Sequence, residues 1–280
     1  MREALLDYFQ KHHRRLEHYL ALCFETPNAE VVHELRVSIK RIRAIDLFTA
    51  QLTGNKNFDA GKNYKSLRKL FRMAGNIRDV QVQQKLVSDF ENALNTTFGV
   101  YLDHLDKLEK ASVLWFFKDI EKDKIQHNLA SVQRIIENSL SSCMKDDIKT
   151  KAFQLLVYQC DELRMMLINI PGNKQLHKMR TTIKQMRYIL SVIRKSDPLA
   201  RGFPISLACL TETEMLLGKW HDSIVGIRTL EDFRREKEKH LEPETENYKL
   251  LATALEVEQR ILRARIKKTL GKSLSICEQT

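Results

Sequence analysis

The chain has 280 residues, 43% hydrophobic and 30% charged, with 9 Gly and 5 Pro; this excludes a disordered or loop-rich protein and can bury a substantial core in one large domain or two ordinary ones. A formal net charge of +11 points to a polyanion such as nucleic acid, a phosphate polymer or an anionic membrane, without choosing among them. The five cysteines are scattered without a CxxC pair, which speaks against a disulfide framework or zinc ribbon and for a reducing cytoplasm.

The first segment places Leu5, Leu6, Phe9, Leu16, Leu20 and Phe24 at helical spacing, with a short basic row at Lys11, Arg14 and His18. It lacks the apolar core of a secretory signal, and no window of the chain approaches the roughly 18 apolar residues of a membrane span. After a break at Thr26-Pro27-Asn28 comes "VVHELRVSIKRIRAIDLF", with His33, Arg36, Lys40 and Arg43. At the helical period these four share an arc of about 80° and spread along about 15 Å of axis. Breaks are predicted at Gly54-Asn55 and Gly75-Asn76, and between them Lys62, Lys65, Lys69 and Arg72 repeat the same spacing.

The element "MAGNIRDVQV" follows, containing Arg78 and Asp79, then a break from Thr96 to Gly99. Trp115 sits at apolar helical spacing and is predicted to be core. Phe153, Leu156, Val157, Cys160, Leu163 and Leu167 predict a further helix. Beyond Pro171-Gly172-Asn173, "QLHKMRTTIKQMRYIL" carries His177, Arg180, Lys184 and Arg187, with Tyr188 at the edge. Breaks at Asp197-Pro198 and Gly202 to Pro204 precede "LLGKWHDSIV", with Lys219, His221, Asp222 and a core Trp220. Pro243 precedes the last segment, whose basic row is Arg260, Arg263 and Lys267. The whole reads as eight to ten helices without a strand: an all-α helical bundle.

Two elements recur in the same order. His33 and His177 are 144 residues apart, and the pairs Gly75/Gly218 and Asp79/Asp222 are each 143 apart. This predicts one domain over 1–280, made of two repeated halves of about 1–140 and 141–280 related by pseudo-twofold symmetry. Like charges at i, i+3 and i, i+4 destabilise a lone helix by roughly 0.2–0.5 kcal/mol per pair, yet neither stripe has an acid among its members. Arg can fork onto two oxygens, Lys supplies a compact charge, and imidazole can donate a hydrogen bond. Two such stripes facing each other would make a channel suited to an extended phosphate polymer.

At these residues the sequence resembles the CHAD family, the conserved histidine α-helical domain, whose mark is a duplicated H-x-x-R-x-x-x-K-R-x-R helix followed by an LG…D-x-x-V element. Here these are "HELRVSIKRIR" and "HKMRTTIKQMR", then "AGNIRDVQV" and "LGKWHDSIV". The resemblance implies a helical bundle whose basic central surface binds inorganic polyphosphate, with some members at polyphosphate granules. It places His33, Arg36, Lys40, Arg41 and Arg43 on one half of the site and His177, Arg180, Lys184 and Arg187 on the other. Gln185 stands where the first copy has Arg41, and Ala74 where the second has Leu217. Lys65, Lys69, Arg72, Arg78, Lys219 and His221 join the candidate contacts, with the terminal rows Lys11, Arg14, Arg260, Arg263 and Lys267 as lesser ones. Many relatives carry a fused triphosphate-tunnel domain marked by E-x-E-x-K. The nearest string here, "EPETENYK" at 242–249, has Tyr248 in place of the lysine, so the chain reads as the binding domain alone.

Other chemistries fit the same groups less well. A metal site would need carboxylates, thiolates or imidazoles clustered as in HExxH, and none is legible. Asp79 and Asp222 read as structural, either capping a helix after a glycine break or holding a stripe arginine. Nucleic acid is the alternative partner, disfavoured because the stripes carry almost no aromatic residues for bases to stack on. An enzyme would need an activated nucleophile or a metal-binding acidic site. The expectation is therefore a soluble cytoplasmic polyphosphate binder, not an enzyme, without cofactor or membrane, of open oligomeric state.

Overall fold

The computed structural model describes residues 1–53, 64–143, 145–168, 172–196, 203, 205–237 and 245–275, without the side chains of 145–147, 195, 196, 237, 245 and 275. Lys62, Cys277 and the breaks at Gly54-Asn55, Pro171, Asp197-Pro198, Gly202, Pro204 and Pro243 lie outside them. Among the described residues there are nine helices and no strand: α1 (Arg2–Glu25), α2 (Ala29–Thr53), α3 (Lys65–Leu94), α4 (Gly99–Asp119), α5 (Lys122–Ser141), α6 (Lys145–Ile168), α7 (Asn173–Ser196), α8 (Leu207–Lys237) and α9 (Thr245–Ser275). None is long and apolar enough to cross a membrane.

Local chemistry sets several ends. Asn28, after Pro27, caps α2 by accepting hydrogen bonds at Oδ1 from the amides of Glu30 (3.1 Å) and Val31 (3.0 Å). α3 ends where Asn95 turns left-handed at φ 50°, a conformation asparagine tolerates better than most residues. Glu91 then accepts from the Phe98 amide at 2.7 Å and ties the turn into α4.

The predicted break at Gly75-Asn76 does not occur. α3 runs through both residues, and α8 runs through Gly218, because one glycine costs a long packed helix only about 1 kcal/mol. Asp79 and Asp222 thus lie inside helices and cap nothing. Trp115 is also corrected: it is 60% exposed on α4, whereas Trp220 is fully buried.

The helix contacts run α1–α2, α2–α3, α3–α4, and again α6–α7, α7–α8, α8–α9. α5 lies outside this scheme and packs on α1, α2 and α3, burying Ile125, Leu129, Val132, Ile136 and Leu140 at spacings of three and four. The two sets meet where α2 packs on α7 and α3 on α8. At the α3–α8 crossing Gly226 leaves room for Gln83, whose Oε1 would lie 2.7 Å from an added Cβ. Gln83 Nε2 donates to the Asp222 carbonyl at 3.1 Å. One core, including Leu35, Leu70, Leu176, Met186, Leu217 and Trp220, spans both sets. A smaller cluster of Phe98, Tyr101, Phe233, Tyr248 and neighbours joins α3 and α4 to α8 and α9.

Candidate functional site

The α2–α7 and α3–α8 contacts bring the two basic stripes to one cleft of about 540 Å³. α2 contributes His33, Arg36, Lys40 and Arg43; α7 contributes Arg180, Thr181, Lys184, Gln185 and Tyr188. Arg78 and Asp79 of α3 and His221 and Asp222 of α8 complete the polar lining. Six Lys and Arg side chains thus meet two carboxylates, a local excess of positive charge.

The two central arginines are held differently. Arg36 Nη1 donates to the Phe71 carbonyl at 2.8 Å, and its guanidinium lies 4.3 Å from the Phe71 ring centroid. Gly75 makes this possible, since a Cβ there would overlap Arg36 Nη1. At Gly218 an added Cβ meets nothing, so the sequence repeat is not matched by a repeat of this contact. Arg180 has neither a hydrogen bond nor an ion pair among the described residues, and its Nε is buried without an acceptor. Lys40 and Lys184 likewise lack such a partner among the described residues.

Burial and mutual repulsion show in the protonation equilibria. Burial, then Arg36 and Arg180, lower Lys40 to about 8. Burial, then Arg180 and Lys40, lower Lys184 to about 7. The histidines are kept neutral at pH 7: burial followed by Arg180 and His177 lowers His221 to about 4, and burial with Arg78 and Lys40 lowers His33. Burial raises Asp79 against the pull of Arg36 and Arg180, and burial raises Asp222 to about 6 against the pull of Arg180, with Asp79 adding to the rise. Asp79 and His33 line the cleft yet keep exposed surface, so solvent moderates the effect of burial on both.

The remaining predicted residues lie elsewhere. Arg41 stands about 80° from His33 on the helix wheel, and it approaches His12 Nε2 of α1 at 3.4 Å instead of lining the cleft. Arg187 donates from Nε to the Glu214 carboxylate and stacks on Tyr188 at 4.6 Å. His177 lies beside the cleft, its ring 5.0 Å from Trp220 and 5.2 Å from His221. Lys69 pairs with Asp119 at 3.4 Å, and Lys65, Arg72 and Lys219 are exposed outside the lining. Of the terminal rows, Lys11, Arg14, Arg260 and Lys267 are exposed, and Arg263 donates to Asn173.

Sequence reasoning missed Phe71, the platform for Arg36, and Glu214, the partner of Arg187. Neither has a local signal, since each is supplied by a neighbouring helix. Among the described residues no three metal-ligating side chains converge.

Comparison with known proteins bears on both fold and family. Residues 7–231 match the family described as CHAD domain. The crystal structure of the CHAD domain from the plant Ricinus communis superposes with a TM-score of 0.74 at 15% identity, covering 97% of this chain and 91% of that one. PptA from Streptomyces chartreusis gives 0.61 at 14% identity, over 100% and 98%. At these identities the two structures speak for the fold. No curated protein matches the sequence.

Proposed function

The chain belongs to the CHAD-domain family, and from that premise we propose that it binds inorganic polyphosphate along the cationic cleft, as a binding module and not as an enzyme. The observation that carries this reading is the convergence of Arg180, Lys40 and Lys184 in one cleft without an anionic hydrogen-bond partner among the described residues. Asp79, Asp222 and Glu214 offset these charges only in part, since the cleft's cations outnumber them; partly buried charge left in excess is costly, and phosphate oxygens running between the α2 and α7 walls would compensate it. Arg36, fixed on Phe71, offers a preorganised fork, while Arg180 and the lysines adjust to the chain. The neutral imidazoles of His33 and His221 can each donate one hydrogen bond without adding repulsion.

Recognition by phosphate alone favours a ligand that is all phosphate. Among the cleft's aromatic residues, Phe71 already stacks with Arg36 and Tyr188 with Arg187, so each arginine competes with a base for its ring. Granule association would follow from binding of this kind.

The test is retention on a polyphosphate matrix, with long-chain polyphosphate, triphosphate, single-stranded DNA and duplex DNA as competitors at matched phosphate concentration. Wild-type protein should be retained, released by rising salt as counterions compete, and leave the polymer uncleaved. Arg36→Glu with Arg180→Glu should abolish retention while the helical circular dichroism persists. Equal retention of that double variant, or stronger competition by DNA than by polyphosphate, would overturn the reading.

A further inference from the structure

We propose that the anion track does not end at the cleft but leaves it on one side only, passing over His177 to Arg228, a subsite for phosphates of an extended chain. This rests on the proposed polyphosphate binding and adds to it a direction and a chain-length dependence.

Arg228 is seven residues beyond His221 on α8. Helical geometry puts the two within about 20° on the same face and about 10 Å apart along the axis. His177 of α7 sits beside this line, its ring 5.2 Å from that of His221 at an interplanar angle of 81°. The positive charge of Arg228 is felt at both histidines, so the three side chains form one continuous patch adjoining Arg180.

Arg228 is exposed and has no hydrogen bond or ion pair among the described residues. The acids that could neutralise it from the same helix, at i+3 and i+4, are Glu231 and Asp232. Both instead face Arg235, at 3.9 and 3.5 Å.

The repeat-related place on α3 offers no such exit among the described residues. The residue 143 positions earlier is Lys85, whose Nζ lies 3.7 Å from Asp89. The cations acting on His33 are Arg78, Lys40 and Arg36, all belonging to the cleft itself. The cationic path is therefore longer on the α7–α8 side.

Lys85 supplies a matched control, because Lys85→Glu changes the net charge as Arg228→Glu does, at the repeat-related position of α3. Binding of a fluorescent long-chain polyphosphate is measured directly and that of triphosphate by competition, each across a salt series. Arg228→Glu should weaken long-chain binding by about tenfold or more, as expected for loss of a charge-assisted hydrogen bond. It should reduce the slope of log affinity against log salt by about one for the long chain, and leave triphosphate binding unchanged, which also reports an intact fold. Lys85→Glu should change neither by more than a small common factor. Equal losses for the two variants, equal loss of both ligands in Arg228→Glu, or no loss at all would overturn the subsite. Failure of wild-type protein to bind either phosphate would instead refute the polyphosphate reading on which it rests.

Discussion

Replacing Lys184 by methionine should stabilise the protein and impair the site at once. Burial, with Arg180 and Lys40 beside it, holds this ammonium at about 7 instead of 10.5. At about 1.4 kcal/mol for each tenfold change in proton affinity, carrying the charge below pH 7 would cost the fold on the order of 5 kcal/mol before solvent screening. Water entry and side-chain relaxation reduce this, so the expected gain from Lys184→Met is about 1–2 kcal/mol. Methionine retains most of the aliphatic stem's packing. Because the pKa in the folded state is depressed, the penalty is absent above pH 10.5, grows as pH falls, and is complete below about 7.

Urea unfolding at pH 6 should therefore show the full gain, with a melting temperature higher by roughly 2–8 °C, and the difference should shrink toward pH 10. Polyphosphate affinity should fall in the same variant, the pattern of a site that holds strain for function. Destabilisation at pH 6, or a gain independent of pH, would refute the claim that the lysine is held charged against its surroundings. Unchanged affinity would remove it from the site.

Three further outcomes test neighbouring contacts. Gly75→Ala gains about 1 kcal/mol of helix propensity but displaces Arg36 from the Phe71 carbonyl, a loss of about 1.5–3 kcal/mol, so net destabilisation and weaker polyphosphate binding are expected; Gly218→Ala, with open space around it, should only stabilise. Polyphosphate affinity measured by calorimetry should rise as pH falls from 9 to 6, since Lys40 and Lys184 gain protons near 8 and 7 and Asp222 loses its charge near 6; a flat profile would contradict these assignments. Glu214→Gln releases Arg187 and removes a carboxylate that acts on Lys40, Lys184 and Arg180, so urea unfolding should show a less stable free protein and titration a tighter complex, and the opposite pair of signs would count against the ion-pair role.

The helical class, the two basic stripes and the surplus of positive charge are legible in the sequence alone. Each of these is a local property: apolar period fixes a helix, and wheel angle fixes which side chains share its face. His33, Arg36, Lys40 and Arg43 were legible for that reason, but wheel angle does not settle Arg41: Gln185 holds the same angle from His177 and lines the cleft, whereas Arg41 turns to His12 of α1.

What each face meets follows from the tertiary structure, because interhelical placement depends on packing between residues far apart in the chain. Of the two roles expected for Asp79 and Asp222, that structure removed helix capping, since both lie mid-helix, and left the one beside the stripe arginines in the cleft. It took Arg187 out of the free cations by setting Glu214 against it, and it gave Arg36 a platform in Phe71 that Arg180 lacks. Two nearly identical stripes thereby became unlike walls. A helix's own period says which way a side chain points, but the neighbour across the gap decides whether that charge is neutralised or left for a ligand.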